Sequence, residues 1–449
     1  MLLTRDTSSP RPAARAETAF PCLDQVHDIL DQRLAVSAAP LAVGFSGGGD
    51  SLALLLMAEA WAWRAGRRIL ALTVDHGLQS QSAAWTRLAA ATARGLGVDF
   101  QALDWTGPKP AAGLPAAARR ARHALLAKAA RDAGAEVILL GHTLDDELEA
   151  RLMRREGSTL GVMSEWSPSP VWPEGRGLFL LRPLLAVRRA TLRAWLKPTG
   201  LGWIEDPAND DPGSRRAVAR KRLQASGDLG QPDQEPPERC DVQADLEALA
   251  RGAQSDGFGV IRVDRDALRT SPADAVRRFT ALACVCAGGG EQRPRGARVL
   301  RLAERLAGRE TFTASLAGAR IEADEEQVLI LRDAGECARG GLAPLELQPG
   351  VAAVWDGRFE ARTDTPEVTI LALRGRLARL SAAARAALKD VPAAGRPALP
   401  AALARGDGES LICPVPFHGG KVHVRCLVGG RLTAACGMIA HEADAKLRH

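Results

Sequence analysis

The sequence predicts an α/β fold in which the N-terminal domain is a parallel, doubly wound sheet. Between residue 41 and about residue 157, short apolar runs alternate with longer segments of helical periodicity. Strands and helices that alternate in this way build a parallel sheet with helices on both faces. Three polar segments, "GFSGGGDS", "VDHG" and "GHTLDD", each follow an apolar run. Because ligands bind at the carboxyl ends of parallel strands, these segments mark the predicted site.

The first strand and helix lie on either side of the glycine-rich segment. "LAVGFS" is a short apolar run of the kind that forms a buried strand, and "DSLALLLMAEAWAW" continues as a helix. "RRILALTVDHG" then predicts a second strand, "SAAWTRLAAATARGLG" a second helix and "VDFQALDW" a third strand. The third strand is followed by a long basic helix, "LPAAARRARHALLAKAARDAG", and by the strand "AEVILLGH". Another helix begins at "TLDDELEARLMRR".

Changes in composition along the chain predict its domain boundaries. A polar stretch rich in proline and glycine, at 225–240, is typical of a linker. After it come three helical patterns, a strand-like end and a β-rich region with one helix. The prediction is therefore a flexible tail at 1–38, an α/β domain at 39–224, the linker, a mainly helical middle domain at 241–335 and a small α+β domain at 340–449.

Composition excludes several classes of protein. A chain of 449 residues is too long for one core, and 46% apolar with 25% charged residues is typical of folded proteins. The net charge of +6 is too small to indicate nucleic-acid binding by itself. The eight cysteines form no C-x-x-C pair, which argues against a zinc site or a disulfide scaffold. Since no stretch has the length of a membrane span and the start lacks an apolar signal region, a cytoplasmic protein is expected.

The three consecutive glycines of "GFSGGGDS" need an explanation, because glycine loses more backbone entropy on folding than any other residue. A Walker A loop requires Gly-Lys-Ser/Thr, but Asp50 follows Gly49. A Rossmann fingerprint requires a third glycine where Leu52 stands. A nucleophile elbow, G-x-S-x-G, does match and would make Ser46 an esterase nucleophile, although no oxyanion-hole segment precedes it.

An anion-binding loop is the fourth explanation. The N–H groups of Gly47, Gly48 and Gly49, next to the start of a helix, would form a nest for phosphate. The hydroxyls of Ser46 and Ser51 would add donors. Asp50 would be out of place beside phosphate unless it holds Mg²⁺. The simpler alternative is a tight turn in which Asp50 and Ser51 cap the helix.

Six segments between residues 41 and 222 resemble the tRNA(Ile)-lysidine synthase family, which belongs to the N-type ATP pyrophosphatases. The first of them, "SGGGDS", matches the S-G-G-x-D-S signature of that superfamily. The sequence departs from the family pattern at several positions, among them His123 in place of tyrosine and Ala217 in place of asparagine. The six segments are 46–51, 74–78, 118–123, 141–149, 182–185 and 203–211, the last followed by Arg216 and Arg220.

The resemblance implies an adenine nucleotide alpha hydrolase-like domain and a specific reaction. ATP, L-lysine and the wobble cytidine of the CAU-anticodon isoleucine tRNA would give lysidine, AMP and pyrophosphate, through an adenylated cytidine. The tRNA identity would change from methionine to isoleucine. The middle domain would bind the tRNA. ATP and Mg²⁺ are the implied cofactors, and a homodimer is one candidate assembly.

The resemblance also implies site residues, each with an ordinary structural alternative. Asp50 and Asp146 would bind the metal; Asp146 is equally a candidate for binding the lysine amine, or a first-turn acid that stabilises its helix. Asp75 would contact nucleotide or metal, or be a turn residue. His142 would orient the adenylate or the cytidine. Arg119, with Arg122 on the same helix face, would clamp the α-phosphate or form a solvated basic face.

Two short basic helices are predicted to bind the phosphate backbone of the tRNA. Their residues are Arg188, Arg189, Arg193 and Lys197 in one helix, and Arg215, Arg216, Arg220, Lys221 and Arg222 in the other. Three alternatives remain beside the serine hydrolase: a tRNA thiolase, a small-molecule amidotransferase and a non-catalytic RNA-binding module. A thiolase needs reactive cysteines, and the N-terminal region contains only Cys22.

Overall fold

The computed structural model describes residues 21–158, 160–207, 214–226, 237–404, 410–412 and 422–446. The chain divides into two compact units. The first unit comprises Met1–Gln234 together with Ala440–His449, and the second comprises Glu235–Ile439. Among the described residues, no helix combines the length and apolar character needed to cross a bilayer.

The first unit is built on a six-stranded sheet covered by helices. Its elements are α1 (Pro21–Arg33), β1 (Leu41–Gly44), α2 (Gly49–Ala65), β2 (Ile69–Asp75), α3 (Ser82–Gly95), β3 (Asp99–Asp104), α4 (Leu114–Asp132), β4 (Val137–Leu140), α5 (Leu144–Arg155), β5 (Trp166–Pro168), β6 (Phe179–Leu181), α6 (Arg189–Leu196), α7 (Arg215–Ser226) and α14 (Glu442–Lys446). The strand order is β3-β2-β1-β4-β6-β5. All neighbours are parallel except β5, which is antiparallel to β6. The predicted parallel sheet is confirmed.

Both faces of this sheet are buried, as its apolar strands predict. Along β1, Leu41 and Val43 join one apolar core with α2, whereas Ala42 joins a second core with α4. Successive side chains of a strand point to opposite faces, so β1 contributes to both cores. An unbroken apolar run is stable only where both faces of the sheet are covered.

The N-terminal region differs from the predicted flexible tail. Pro21–Arg33 forms α1, in which the side chains of Val26 and Leu30 are fully buried. Their spacing of four residues is the period of one helix face, so the sequence did contain the signal. Residues 1–20 of the predicted tail lie outside the described residues.

The second unit contains an antiparallel sheet with helices and two smaller sheets. Its elements are α8 (Pro237–Gly252), β7 (Gln254–Ser255), β8 (Ile261–Asp264), α9 (Arg265–Thr270), α10 (Ala273–Gly288), α11 (Ala297–Ala307), β9 (Phe312–Leu316), β10 (Ala319–Ala323), β11 (Gln327–Arg332), β12 (Leu345–Leu347), β13 (Ala353–Trp355), β14 (Phe359–Thr363), β15 (Val368–Ala372), α12 (Ala382–Ala387), β16 (Pro400–Ala404), β17 (Ser410–Ile412), β18 (Val422–Cys426) and α13 (Val428–Ala435). The sheets are ordered β7-β8-β11-β10-β9, β12-β15-β16-β17 and β13-β14-β18. The middle region therefore contains a five-stranded sheet besides its predicted helices.

The second unit has two apolar cores. One is formed mainly by residues 246–330, but Val428, Leu432 and Cys436 of α13 also pack into it. The other is formed by residues 342–424. The division into separate domains at 335–340 stays a prediction. Within the predicted linker, 225–240, both ends are helical, in α7 and α8, while 227–236 lie outside the described residues.

Candidate active site

A large cavity in the first unit opens at the carboxyl ends of β1, β2 and β4. Its volume is about 1210 Å³, and the three polar segments predicted to converge all contribute to its lining. Such a volume exceeds that of a typical small-ligand pocket, so it has room for more than one reactant. Residues that follow β6 complete the lining: Arg188, Arg189, Ala190, Arg193, Ile204, Glu205, Asp206, Pro207, Arg216, Arg220, Leu223 and Gln224.

The glycine-rich segment forms a loop that ends in the first turn of α2. Gly48 is the residue before the helix, and the Ser51 hydroxyl donates to its carbonyl at 2.9 Å. Ser46 Oγ lies 3.1 Å from Ser51 Oγ. Gly48 forms an isolated parallel bridge with Ile204, which leaves the N–H groups of Asp50 and Ser51 as the first-turn amides without a protein acceptor in the described chain. The start of α2 therefore presents open amides to the cavity, which is the arrangement that binds anions.

Gly47 has a role that sequence reasoning missed. Its φ is +80°, and a Cβ on it would lie 2.4 Å from Ile204 Cδ1. The Ile204 N–H donates to the Gly47 carbonyl at 2.9 Å, and a Cβ on Gly49 would touch the Trp203 ring. These glycines thus let the segment after α6 pack directly on the loop. Gly47 is buried beneath Ile204 and is not among the cavity-lining residues, unlike Gly48 and Gly49.

Asp50 and Asp146, the two predicted metal ligands, face the same cavity with an arginine between them. Arg189 Nε donates to Asp50 Oδ2 at 2.8 Å, and an Arg189 terminal nitrogen lies 3.4 Å from Asp146 Oδ1. Burial raises the pKa of Asp50 more than Arg189 lowers it. Burial also acts to raise the pKa of Asp146, but Arg216 and Arg189 hold it below its usual value. Asp146 is thus the more firmly ionised carboxylate.

Asp146 also has the structural role that was its alternative explanation. Its Oδ2 accepts from the Thr143 N–H at 2.8 Å and from the Thr143 hydroxyl at 2.9 Å, which closes a capping box at the start of α5. Its Oδ1 has only longer contacts, 3.4 Å to Arg189 and 3.6 Å to Arg216. One oxygen therefore fixes the helix and the other is available to a substrate cation.

A Mg²⁺ ion fits this donor set if ATP supplies part of its coordination. In the part of the chain that the structure describes, Asp50 Oδ1 has no protein partner, and both carboxylates line the cavity. The described residues contain no group of three or more Asp, Glu, His or Cys side chains that would hold a metal unaided. Magnesium in nucleotide sites uses one or two carboxylates together with phosphates and water. Asp50 and Asp146 would hold the ion.

Two histidines of the cavity have a pKa below the usual value. Burial lowers the pKa of His142 to about 3, although Asp146 opposes the shift. Burial and then Arg122 lower the pKa of His76, a cavity residue not singled out in the sequence. Each ring also has a buried nitrogen, Nδ1, that lacks a hydrogen-bond partner among the described residues.

The structure distinguishes Arg119 from Arg122. Arg122 is half-buried and lines the cavity, and burial followed by Arg119 lowers its pKa to about 10. Arg119 is exposed and is not a lining residue. Asp75 lines the cavity, and its Oδ1 accepts from the Gly77 N–H at 2.8 Å as a turn residue does. Of the predicted arginine pair, Arg122 is the better placed.

The arginines of α6 that were predicted to form a phosphate-binding surface are paired with carboxylates in the structure. Arg189 bonds acids of the cavity, with its side chain only 17% exposed. Arg193 lies 3.1 Å from Glu205, and Arg188 lies 3.6 Å from Asp145. Because these arginines are paired with carboxylates, they do not form a free cationic surface. On α7, Arg215, Lys221 and Arg222 are exposed, whereas Arg220 donates to buried Glu149 at 2.7 Å.

The geometry does not favour the alternative chemistries. The Ser46 hydroxyl forms hydrogen bonds with Ser51 and Gly48, and no imidazole bonds it in the described chain. Ser46 also lacks the positive φ that marks strained non-glycine residues. Burial raises the pKa of Cys22 to about 11, so its thiol is not poised for thiolase chemistry.

Comparison with known proteins shows sequence similarity over most of the chain, beyond the residues of this cavity. Residues 23–226 match the PP-loop domain family. The tRNA(Ile)-lysidine synthase of Caulobacter vibrioides is 49% identical over 426 residues, which cover 94% of this chain and 99% of that protein. That of Hyphomonas neptunium is 37% identical over 314 residues, 68% of this chain and 85% of that protein. Of the six family segments, residues 208–211 lie outside the described residues.

Proposed function

The chain belongs to the tRNA(Ile)-lysidine synthase family, and we propose that it joins L-lysine to C2 of the wobble cytidine in the CAU anticodon of isoleucine tRNA, at the expense of ATP. Lysidine, AMP and pyrophosphate are the products, and the modified tRNA changes identity from methionine to isoleucine. One observation carries the proposal. A single cavity joins the open amides of a helix N-terminus to the carboxylates of Asp50 and Asp146.

The first half-reaction activates the cytidine. Its C2 carbonyl oxygen forms a bond to the α-phosphorus of ATP, while the bond from that phosphorus to the bridging oxygen of pyrophosphate breaks. Negative charge accumulates on the leaving pyrophosphate. We assign its stabilisation to the first-turn amides of Asp50 and Ser51 in α2 and to the Ser46 hydroxyl, with Arg122 toward the α-phosphate. Asp75 borders the nucleotide.

Mg²⁺, held by Asp50 and Asp146, would neutralise phosphate charge when bound with ATP. The role of the protein is then to keep Asp50 beside the phosphate-binding amides. Asp50 lies in the first turn of α2 and so shares a rigid element with those amides. This arrangement needs no rearrangement of the backbone during reaction.

The second half-reaction brings in lysine. Its ε-nitrogen forms a bond to C2 of the adenylated cytidine, and the bond from C2 to oxygen breaks to release AMP. Asp146 Oδ1, which has only long contacts to arginine, is our candidate to bind the incoming ammonium in place of the metal once pyrophosphate has left. The amine must lose a proton before it attacks. His142, a cavity-lining residue whose pKa is lowered by burial, would orient the reacting base.

The tRNA also needs a phosphate-binding surface. The exposed cations of α7, Arg215 and Lys221, are the candidates in the first unit, whereas Arg222, although exposed, is paired with Glu156. The second unit is proposed to bind the body of the tRNA. A homodimer is the proposed assembly, and sedimentation velocity of the purified chain checks it.

Purified enzyme supplied with ATP and labelled lysine tests the proposal. The CAU isoleucine tRNA transcript should release pyrophosphate and incorporate label, whereas elongator methionine tRNA should do neither. Equal labelling of both transcripts, or no labelling of either by folded enzyme, would contradict it. Covalent labelling of Ser46 by a fluorophosphonate would instead favour the serine hydrolase.

Asp50→Asn is the first variant to assay. It keeps the shape of the side chain and removes its charge, so turnover should fall at least about 100-fold, equivalent to about 2.7 kcal/mol of transition-state stabilisation. Asp99→Asn makes the same change at an exposed acid of β3 that pairs only with exposed Arg68. It should leave turnover unchanged. Near-normal turnover of Asp50→Asn would remove Asp50 from the mechanism.

A further inference from the structure

One guanidinium connects the phosphate-binding loop to the acidic face of α5. Arg189 Nε donates to Asp50 Oδ2 at 2.8 Å, and its terminal nitrogens lie 3.4 Å from Asp146 Oδ1 and 3.4 Å from Glu149 Oε1. Among the ion pairs of the described residues, no other cation contacts Asp50. Three carboxylates thus share one cation.

The position of Arg189 is fixed from two directions. Its backbone N–H, at the first residue of α6, donates to Asp145 Oδ2 at 2.8 Å. Its side chain is 17% exposed and ends among the carboxylates. A long, flexible side chain would lose this geometry in open solvent, because ordering it costs conformational entropy. The residue is therefore built into the site and is not a surface charge.

The three carboxylates depend on Arg189 to different extents. Glu149 also accepts from Arg220 at 2.7 Å and from Arg216 at 3.2 Å. Asp146 has Arg216 at 3.6 Å and the Thr143 N–H and hydroxyl. Asp50 has only Arg189 among the described residues, and burial raises the pKa of Asp50 in spite of that contact. Losing Arg189 would leave Asp50 as the carboxylate without a cation.

We propose that Arg189 is a positioning residue whose guanidinium is the internal counter-cation of Asp50, and that it competes with a divalent cation for this carboxylate. The inference rests on the proposed function only for the role of Asp50 as a metal ligand. Entry of the metal with ATP then exchanges one cation for another, so the half-buried carboxylate is never left uncompensated. Arg189 would keep its contact with buried Glu149 during the exchange, which would hold it close enough to return when metal and pyrophosphate leave.

The proposal predicts that removing the guanidinium strengthens metal binding. Arg189→Met keeps the length of the side chain and removes its charge. The affinity of the protein for Mn²⁺, measured by electron paramagnetic resonance without nucleotide, lysine or tRNA, should rise at least about tenfold. The reason is that a positive charge a few ångströms from the metal repels it by more than the free energy of a tenfold change in affinity. A purely structural role would give a loss or no change.

Two further variants complete the experiment. Arg193→Met removes the same charge one turn along α6, where the partner is Glu205, and should change Mn²⁺ affinity much less. Asp50→Asn combined with Arg189→Met should abolish the gain. An Arg189→Met protein that is folded but binds Mn²⁺ no better than the wild type would overturn the proposal, as would a gain that survives Asp50→Asn.

Arg189→Lys covers the case in which Arg189→Met does not fold. Lysine retains a charge but lacks the fork that reaches two carboxylates at once, so the Mn²⁺ affinity of this variant should also rise, by less. An unchanged affinity would overturn the proposal. Because no step of this titration uses tRNA or lysine, failure of the labelling reaction would count against the proposed function and not against this inference.

Discussion

Two arginine-centred clusters in the first unit use charge in different ways. Arg67 forms a two-pronged pair with Glu442 of α14, at 2.7 and 2.9 Å, and both side chains are 0% exposed. Arg189 contacts three carboxylates, two of them at 3.4 Å, and Asp50 is 22% exposed. The first, closed cluster is fully buried and its contacts are short. The second, open cluster is partly exposed to the cavity, and its one guanidinium is shared by three carboxylates.

The closed cluster is fully satisfied. Arg67 also donates to the carbonyls of Ala35, Ala39 and Pro40, and Glu442 also accepts from the Ala35 N–H at 2.8 Å. Buried charges are tolerated when their remaining donors and acceptors find partners. The pair attaches α14, from the C-terminal end of the chain, to the first unit, and it leaves no oxygen for a ligand.

The open cluster has the opposite property. Its long contacts and its exposure to the cavity leave carboxylate oxygens available, so that a substrate cation or a metal replaces arginine at low cost. The difference teaches that distance, burial and the number of shared partners distinguish a structural ion pair from a binding site. Residue type alone does not.

The largest predicted effect comes from breaking the closed pair. Arg67→Met leaves Glu442 buried with one N–H donor, so the first unit should lose about 3–5 kcal/mol of stability. Hydrogen exchange of peptides from β1 and α2 measures it, because a chain of two units need not unfold in one step. Turnover per folded molecule should not change.

A double variant controls for lost packing at this position. Arg67→Met combined with Glu442→Met removes both charges and should recover much of the stability, since no unpaired charge remains. A loss below about 1 kcal/mol for Arg67→Met alone would show that the pair behaves like a surface ion pair. The buried pair and the open cluster would then not differ in how much their ion pairs contribute to stability.

A smaller effect is expected where a carboxylate has several cations. Arg220→Met removes the shortest contact of Glu149, but Arg216 and Arg189 remain within 3.4 Å of that carboxylate. The loss of stability should be about 1.5 kcal/mol or less, the lower end of the range for a hydrogen bond to a charged group, because two other cations remain. The same exchange measurement checks it. A loss as large as that of Arg67→Met would mean that the site cluster is structural.

Much of the fold and some of the site followed from sequence pattern. The strands β1–β4 have apolar runs long enough to recognise, and the carboxyl ends of three of them do meet. The three-residue strands β5 and β6 carry no periodicity and were not predicted. Such short strands are recognised only through the neighbours with which they pair.

The missed site features all depend on tertiary contacts. Arg189 belongs to a basic segment, and such segments usually face solvent. Only the position of α6 beside Asp50 turns its side chain inward. Likewise, position 47 requires glycine because the side chain of Ile204, distant in sequence, packs against it. Local pattern identifies which residues are unusual; the fold decides what they contact.

The smallest predicted effect concerns a buried group that carries no charge. His123 is 4% exposed, and burial, followed by Arg122 and Arg119, lowers its pKa to about 2. The usual pKa in an unfolded chain is about 6.5. Below that pH the unfolded chain takes up a proton that the folded chain refuses, so stability falls as pH falls. Between pH 7.5 and 5.5 the loss from one such histidine is about 1.4 kcal/mol.

His123→Gln should remove this part of the pH dependence. Hydrogen exchange of α4 peptides from the wild type and the variant, corrected for the intrinsic exchange rate at each pH, measures it. The change in packing cancels because it lowers stability equally at the two pH values. The relevant quantity is therefore the difference between the two losses. A variant that loses as much stability on acidification as the wild type would mean that His123 is protonated in the folded protein. The cluster of Arg119, Arg122 and Arg182 around it would then tolerate an added positive charge. That result would contradict the principle used to distinguish the closed pair from the open site, namely that a buried charge persists only with a partner of opposite charge.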